Sequence, residues 1–183
     1  MNRADSELWT KKFAIAFRTM DRGDNGYITV ADVDAFDARG AEALGHRPGS
    51  PAYARYARET RVWRDRLWNR FDKNQDDRIT LEEFLSFWGN ATADEVAELA
   101  HHRAAAMCIL ADADDDNGLT EDEYIRWAIA SQGVSKEIAQ AGFAEVDADR
   151  NGRLTRDELA RSFIEYITSV GEAPANRMFG PRV

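Results

Sequence analysis

The chain has 183 residues, 44% of them hydrophobic, enough to bury a sizeable core as one domain or as two closely packed halves. Its 24 basic and 33 acidic residues leave a net charge of -9, which works against attachment to nucleic acid or to an anionic membrane and points to cations as partners. A single cysteine, Cys108, excludes an internal disulfide and argues against a thiolate metal site; within AAAMCIL it reads as a buried thiol.

In chain order, MNRADSELWTKK carries charge throughout and has no apolar stretch of signal-peptide length. The longest apolar run, AAAMCILA at 104–111, has eight residues and is too short to cross a bilayer, so a cytoplasmic protein without membrane insertion is expected. SELWTKKFAIAFRTM places Leu8, Trp9, Phe13, Ile15, Phe17 and Met20 on a broad helical stripe. It runs into DRGDNGYITVAD at 21–32, and a second helix is expected from about residue 30 to Gly40. GAEALGHRPGSP at 40–51 reads as a bend or short linker, with 41–44 able to prolong the helix.

AYARYARETRVWRDRLWNRF then sets Tyr53, Tyr56, Trp63, Leu67, Trp68 and Phe71 along one side of a long helix, with Arg55, Arg58, Arg61, Arg64, Arg66 and Arg70 on the others. In so acidic a chain these arginines are expected to be solvated and paired internally; a surface for an acidic partner is the alternative. DKNQDDRITLEE at 72–83 follows, with an exiting helix stopped near Gly89-Asn90. Thr92 and Glu95 open a helix that runs through AAAMCIL into DADDDNGLTEDE at 112–123. EDEYIRWAIA leaves that segment, SKEIAQAGFAEV enters DADRNGRLTRDE at 147–158, and RDELARSFIEYI leaves the last.

The four twelve-residue segments are one template, each set between amphipathic stretches. The spacing suits Ca2+, a hard cation that takes about 6 to 8 oxygen ligands. Positions 1, 3 and 5 turn side chains inward, position 7 offers its backbone carbonyl, position 9 faces in, and a Glu at position 12 can give both oxygens. The sharp bend at position 6 favours Gly, as Gly26 and Gly152 supply, and tolerates Asp77 and Asn117. The ligand set of the second loop is then Asp72, Asn74, Asp76, the Arg78 carbonyl and Glu83. The third offers Asp112, Asp114, Asp116, the Gly118 carbonyl and Glu123; the fourth offers Asp147, Asp149, Asn151, the Arg153 carbonyl and Glu158.

The first loop departs from the template. Gly23 at position 3 has no side-chain oxygen, which leaves Asp21, Asn25, the Tyr27 carbonyl, Thr29 and Asp32. The shorter Asp32 at position 12 lowers the coordination number and suits Mg2+ relatively better. Three or four Ca2+ per chain are expected, with Mg2+ competing at some sites. Four divalent ions would bring the charge of -9 to -1, so most of the surplus acidity is accounted for by the loops.

Thr80, Thr120 and Thr155 each stand three residues before Glu83, Glu123 and Glu158, the T-x-x-E capping box of a helix start; Thr29 and Asp32 give a shorter version. The fold expected is all-α, four helix-loop-helix units in two pairs, 1–90 and 91–170, with a tail at 171–183. Position 8 should join each pair by a minimal antiparallel contact, Ile28 with Ile79 and Leu119 with Leu154.

These loops, SELWTKKF before the first, ETRVWRDRLWNRFDKNQDD, the wide spacing of the first two loops, and NRMFGPRV at the C-terminus resemble the sarcoplasmic calcium-binding proteins of invertebrates and their bacterial relatives. The resemblance, over nearly the whole chain, implies a compact pair of EF-hand pairs around an aromatic core. It further implies a Ca2+ and Mg2+ buffer without catalysis, and a tail folded across the C-terminal pair through Met178 and Phe179. A frayed tail is the alternative.

His46, His101 and His102 form no H-E-x-x-H arrangement and no phosphate loop is present, so an enzyme is not expected. Two competitors to the buffer stay open. A calcium sensor with a protein target would expose an adaptable apolar groove, to which four Met against five Trp and nine Phe are poorly suited. A luciferin-type small-ligand protein would line a cavity with Trp9, Trp63, Trp68, Trp88, Trp127, Tyr124 and Tyr166, positions that core packing explains equally well. A monomer is expected.

Overall fold

The computed structural model describes residues 3–171, apart from the side chains of Val62, Trp63, Arg66 and Leu67. The sequence expectations on Trp63, Arg66 and Leu67, and those on the tail with Met178 and Phe179, lie outside the described residues. Within them the order is helix, loop, helix four times: α1 (Glu7–Met20), β1 (Tyr27–Ile28) and α2 (Val30–Ala43); α3 (Pro51–Phe71), β2 (Ile79–Thr80) and α4 (Leu81–Asn90); α5 (Ala93–Ala111), β3 (Leu119–Thr120) and α6 (Glu121–Gln132); α7 (Lys136–Val146), β4 (Arg153–Leu154) and α8 (Arg156–Thr168).

Local chemistry starts each helix. Ser6, Ser50 and Ser135 accept from the backbone three residues on, and Pro51 takes the first position of α3, where its missing N–H costs nothing. Reciprocal capping boxes form at Thr29, Thr80, Thr92, Thr120 and Thr155. One boundary differs from the sequence reading: α2 does not stop at Gly40 but continues to Ala43. Ala41 is fully buried against Tyr56, Ala106 and Leu110, and that packing outweighs the helix penalty of a single glycine, about 1 kcal/mol. The turn comes at Gly45, with φ 86°.

Each pair of loops is joined by a two-residue antiparallel ladder in which Ile28 faces Ile79 and Leu119 faces Leu154. Position 8 is thus paired with position 8 in both halves, as its branched apolar residues require for burial; all four are nearly inaccessible.

The two cores are not independent. Trp9, Phe13, Phe17, Phe71, Phe84, Phe87 and Trp88 form the N-terminal aromatic cluster, which also takes Val96 and Leu99 from α5 and Tyr166 and Ile167 from α8. One turn further along α5, Ala100, Ala104, Met107 and Cys108 belong to the C-terminal cluster. The alanines of α5 let α8 approach closely, so this pair of helices welds the halves together. Burial raises the Cys108 thiol to about 11, as suits a packed and unreactive side chain.

Polar bonds reinforce the weld. Trp9 Nε1 donates to the Ile167 carbonyl at 2.8 Å, Ser6 Oγ to Val170 at 2.6 Å, and Arg3 Nη1 to the Trp88 and Ala91 carbonyls at 3.0 and 2.9 Å. The buried Lys12 donates to the carbonyls of Tyr166 and Ser169 at the end of α8. Burial pushes its ammonium down to about 8, with Glu165 opposing, against 10.5 for an ordinary lysine. Between those values the unfolded chain binds more protons than the folded one, so this group adds stability as pH rises from about 8 towards 10.5. We expect thermal melts of Lys12→Met to lack that rise; equal pH slopes in the two proteins would refute the assignment.

Among the described residues, three of the arginines of α3 are paired. Arg55 meets Asp115 at 3.2 Å, Arg64 meets Asp34, and Arg70 meets Glu95 at 2.8 Å. Among the described residues no helix is long and apolar enough to cross a membrane.

Candidate metal centres

All four loops are wound by the same short bonds. The position-1 carboxylate accepts from the amides of positions 5 and 6: Asp21 from Asn25 and Gly26, Asp72 from Asp76 and Asp77, Asp112 from Asp116 and Asn117, and Asp147 from Asn151 and Gly152, all between 2.9 and 3.2 Å. The position-5 side chain accepts from the amide of position 7, at Asn25, Asp76, Asp116 and Asn151. The left-handed bend falls at position 6, with φ of 86° at Gly26, 61° at Asp77, 67° at Asn117 and 78° at Gly152. A second one, which the template did not predict, falls at position 4, where Asp24, Gln75, Asp115 and Arg150 have φ between 46° and 59°.

The structure gathers ligand oxygens most closely in the C-terminal pair. Oxygens of Asp112, Asp114 and Glu123 lie within 4.8 Å of one another, as do those of Asp147, Asp149 and Glu158. In both loops the Glu is drawn over the ring: Glu123 Oε1 accepts from the Ala113 amide at 2.8 Å and Glu158 Oε1 from the Ala148 amide at 3.2 Å, while each Oε2 caps its own helix through the Thr three residues earlier. Nothing in the ligand pattern predicted these amides at position 2. Converging carboxylates repel one another, and Asp114 is raised by desolvation and by the charges of Asp116 and Glu123. Glu123 stays below its ordinary value although burial opposes this, because the Ala113 and Thr120 amides and the Thr120 hydroxyl stabilise its charge. A donor set of this kind, oxygen only and rich in anions, fits Ca2+.

The N-terminal loops are wound alike but gather fewer acids. Among the described residues, Asp72, Asp76 and Glu83 do not form such a cluster, and Glu83 is turned to its helix cap with Oε2 at 2.9 Å from the Thr80 amide. Asp32 does the same at 2.9 Å from the Thr29 amide. At Gly23 an added Cβ would sit 2.9 Å from Asn25 Nδ2, the movable end of a side chain that leans over the vacant ligand position. We expect Gly23→Asp to displace that amide and tighten Ca2+ binding at the first loop by roughly tenfold in a calorimetric titration; an unchanged isotherm would mean that Asp32, not Gly23, limits this site.

The histidines serve elsewhere, His46 Nε2 at 2.7 Å from the Leu110 carbonyl and His102 Nδ1 at 2.7 Å from Glu59. Arg78 and Arg153, both at position 7, differ in where their side chains go. The guanidinium of Arg78 lies 4.5 Å from the centre of the Tyr27 ring, whereas that of Arg153 crosses to the third loop and pairs with Asp116.

Residues 10–89 match the family model described as an EF-hand domain pair. The chain is 33% identical over 79 residues to probable calcium-binding protein CML29 of Arabidopsis thaliana, spanning 42% of this chain and 86% of that protein. It is 26% identical over 155 residues to calerythrin of Saccharopolyspora erythraea, spanning 82% and 86%. A solved calcium-binding protein of Streptomyces coelicolor superposes with TM-score 0.71 at 25% identity, over 87% of this chain and 98% of the other.

Proposed function

The chain belongs to the EF-hand calcium-binding proteins, with four hands in the sarcoplasmic calcium-binding protein-like arrangement, and from that premise we propose that it is a calcium buffer. The observation that carries the reading is the weld of α1 to α8. Tyr166 and Ile167 pack into the aromatic face of the N-terminal pair, and Trp9 is bonded to the Ile167 carbonyl, so the surface a sensor would present to a target is taken up inside the molecule.

In this reading Asp112, Asp114, Asp116, the Gly118 carbonyl and Glu123 hold one Ca2+, and Asp147, Asp149, Asn151, the Arg153 carbonyl and Glu158 hold a second. Asp72, Asn74, Asp76, the Arg78 carbonyl and Glu83 hold a third once Glu83 swings over the loop as Glu123 and Glu158 do. The first loop, through Asp21, Asn25, the Tyr27 carbonyl, Thr29 and Asp32, takes Mg2+ or a weaker Ca2+. Calorimetry with and without millimolar Mg2+ should count at least three Ca2+, and two or fewer would remove the second loop from the set. An apolar-surface dye decides between buffer and sensor: its fluorescence should fall on adding Ca2+ to the looser metal-free protein. A rise would move this chain toward calcium-mediated regulation, the role named for the Streptomyces coelicolor protein.

A second reading rests on one cavity. Between the halves lies a space of about 580 Å³, walled by Phe13, Phe36, Trp88, Trp127 and Phe163, with Asp37 and Arg103 at its edge. That is the size of a small-ligand site. Native mass spectrometry of the purified protein tests it: a bound organic mass would favour this reading, and the bare chain would leave the cavity to packing.

A further inference from the structure

We propose that Arg153 acts as a releasable internal cation of the third loop, its guanidinium occupying the Asp116 carboxylate until Ca2+ replaces it, so that the two C-terminal sites fill as a coupled pair. Three observations carry this. The Arg153 guanidinium pairs with Asp116, both side chains being only partly exposed, and Asp116 is absent from the cluster that Asp112, Asp114 and Glu123 form. The guanidinium also lies close across the backbone of Gly118, where an added Cβ would be 2.9 Å from Nη2 and 3.3 Å from Nε. Its charge is felt with those of Asp114 and Glu123 as well as Asp116, three of the four carboxylates proposed as ligands.

The N-terminal pair shows why the crossing occurs in one half only. Position 7 of the first loop is Tyr27, whose ring intercepts Arg78 by a cation–π contact; position 7 of the third loop is Gly118, which leaves the path to Asp116 open. The coupling follows from connectivity. Arg153 is itself position 7 of the fourth loop, where its carbonyl is a proposed ligand, while its side chain neutralises the third. An ion entering the third loop must displace the guanidinium, and an ion held by the fourth loop fixes the backbone from which that guanidinium extends.

The inference rests on Ca2+ being the ion of the third loop, and the experiment separates the two claims. Parent protein, Arg153→Ala, Gly118→Ala and the charge control Arg150→Ala are titrated with Ca2+ by calorimetry and melted with and without it. Gly118→Ala evicts the guanidinium without changing net charge. Both it and Arg153→Ala should tighten binding in the C-terminal pair by about three- to fivefold, the scale of a partly exposed ion pair. Arg153→Ala should also lower the melting temperature without calcium, by leaving the acids unneutralised, and enlarge the rise on adding it; a residue with only a structural role would lower both melting temperatures. Affinities within twofold of the parent for both variants would overturn the latch. So would tightening by Arg150→Ala equal to that by Arg153→Ala with none from Gly118→Ala, since that pattern is a general charge effect. A parent that binds no Ca2+ would overturn the functional reading itself, and the latch with it.

Discussion

Glu123→Gln and Glu158→Gln are each expected to remove one Ca2+ from the titration, with a loss on the order of a hundredfold at the altered site. In each loop the Glu presents Oε2 to its own helix start and Oε1 to an amide across the ring, Ala113 in the third and Ala148 in the fourth. A Gln keeps one oxygen for the cap, but its NH2 then meets an N–H donor where a carboxylate oxygen had accepted. The side chain loses its charge, its second metal-facing oxygen and the bond that drew it over the loop together. Asp32→Asn should matter far less, because that side chain starts short. Calorimetry of the four proteins checks the order, and Glu158→Gln with undiminished stoichiometry and affinity would show the ligand register of the fourth loop to be wrong.

Chelating the metal should lower the melting temperature more than any single substitution. A site saturated at about a thousand times its Kd adds about 4 kcal/mol to the folded state. Three such sites, about 12 kcal/mol together, correspond in a chain of this size to roughly 25–50 °C, at about 2–4 °C per kcal/mol. Ca2+ held there would relieve the repulsion that raises Asp114, so its removal would restore that repulsion as well as forfeit the ligand bonds. Differential scanning calorimetry in calcium and in chelator measures the gap. A difference below about 5 °C would mean that the sites are weak or few, which the buffer reading does not survive.

What the sequence disclosed was chemistry confined to a few neighbouring residues. The ligand spacing, the Thr-x-x-Glu caps and the branched residue at position 8 each depend on atoms within one loop or on its dyad partner, and the caps and the Ile28–Ile79 and Leu119–Leu154 contacts appear where their spacing puts them. What it did not disclose depends on distant partners. Gly40 left two ends open for the second helix, and the burial of Ala41 decided for the longer one. Nothing in the sequence marked Lys12 as buried, and only the end of α8 explains it. The crossing of Arg153 had a signal in Gly118, the one position-7 residue without a side chain, but the meaning of that gap required the geometry of the facing loop. The second loop matched the template as well as its neighbours in sequence, yet Glu83, capped through Oε2 as Glu123 and Glu158 are, gathers no cluster with Asp72 and Asp76 among the described residues, since a match of residue types does not fix a rotamer.

The bond from Trp9 to Ile167 spans almost the whole described chain. A ribosome making this protein at about 5–20 residues per second releases the N-terminal pair well before α8 exists. During that interval Trp9, Phe13 and Phe17 have no Tyr166 or Ile167 to cover them, so the first half emerges as an unfinished core, exposed to chaperones and to its own neighbours on a polysome. Completion of α8 closes the aromatic face of the first pair in the same act that finishes the second. Synthesis order therefore makes the half-built molecule its most aggregation-prone form, and a pulse of protease during translation should cut the first pair until the last helix has been released.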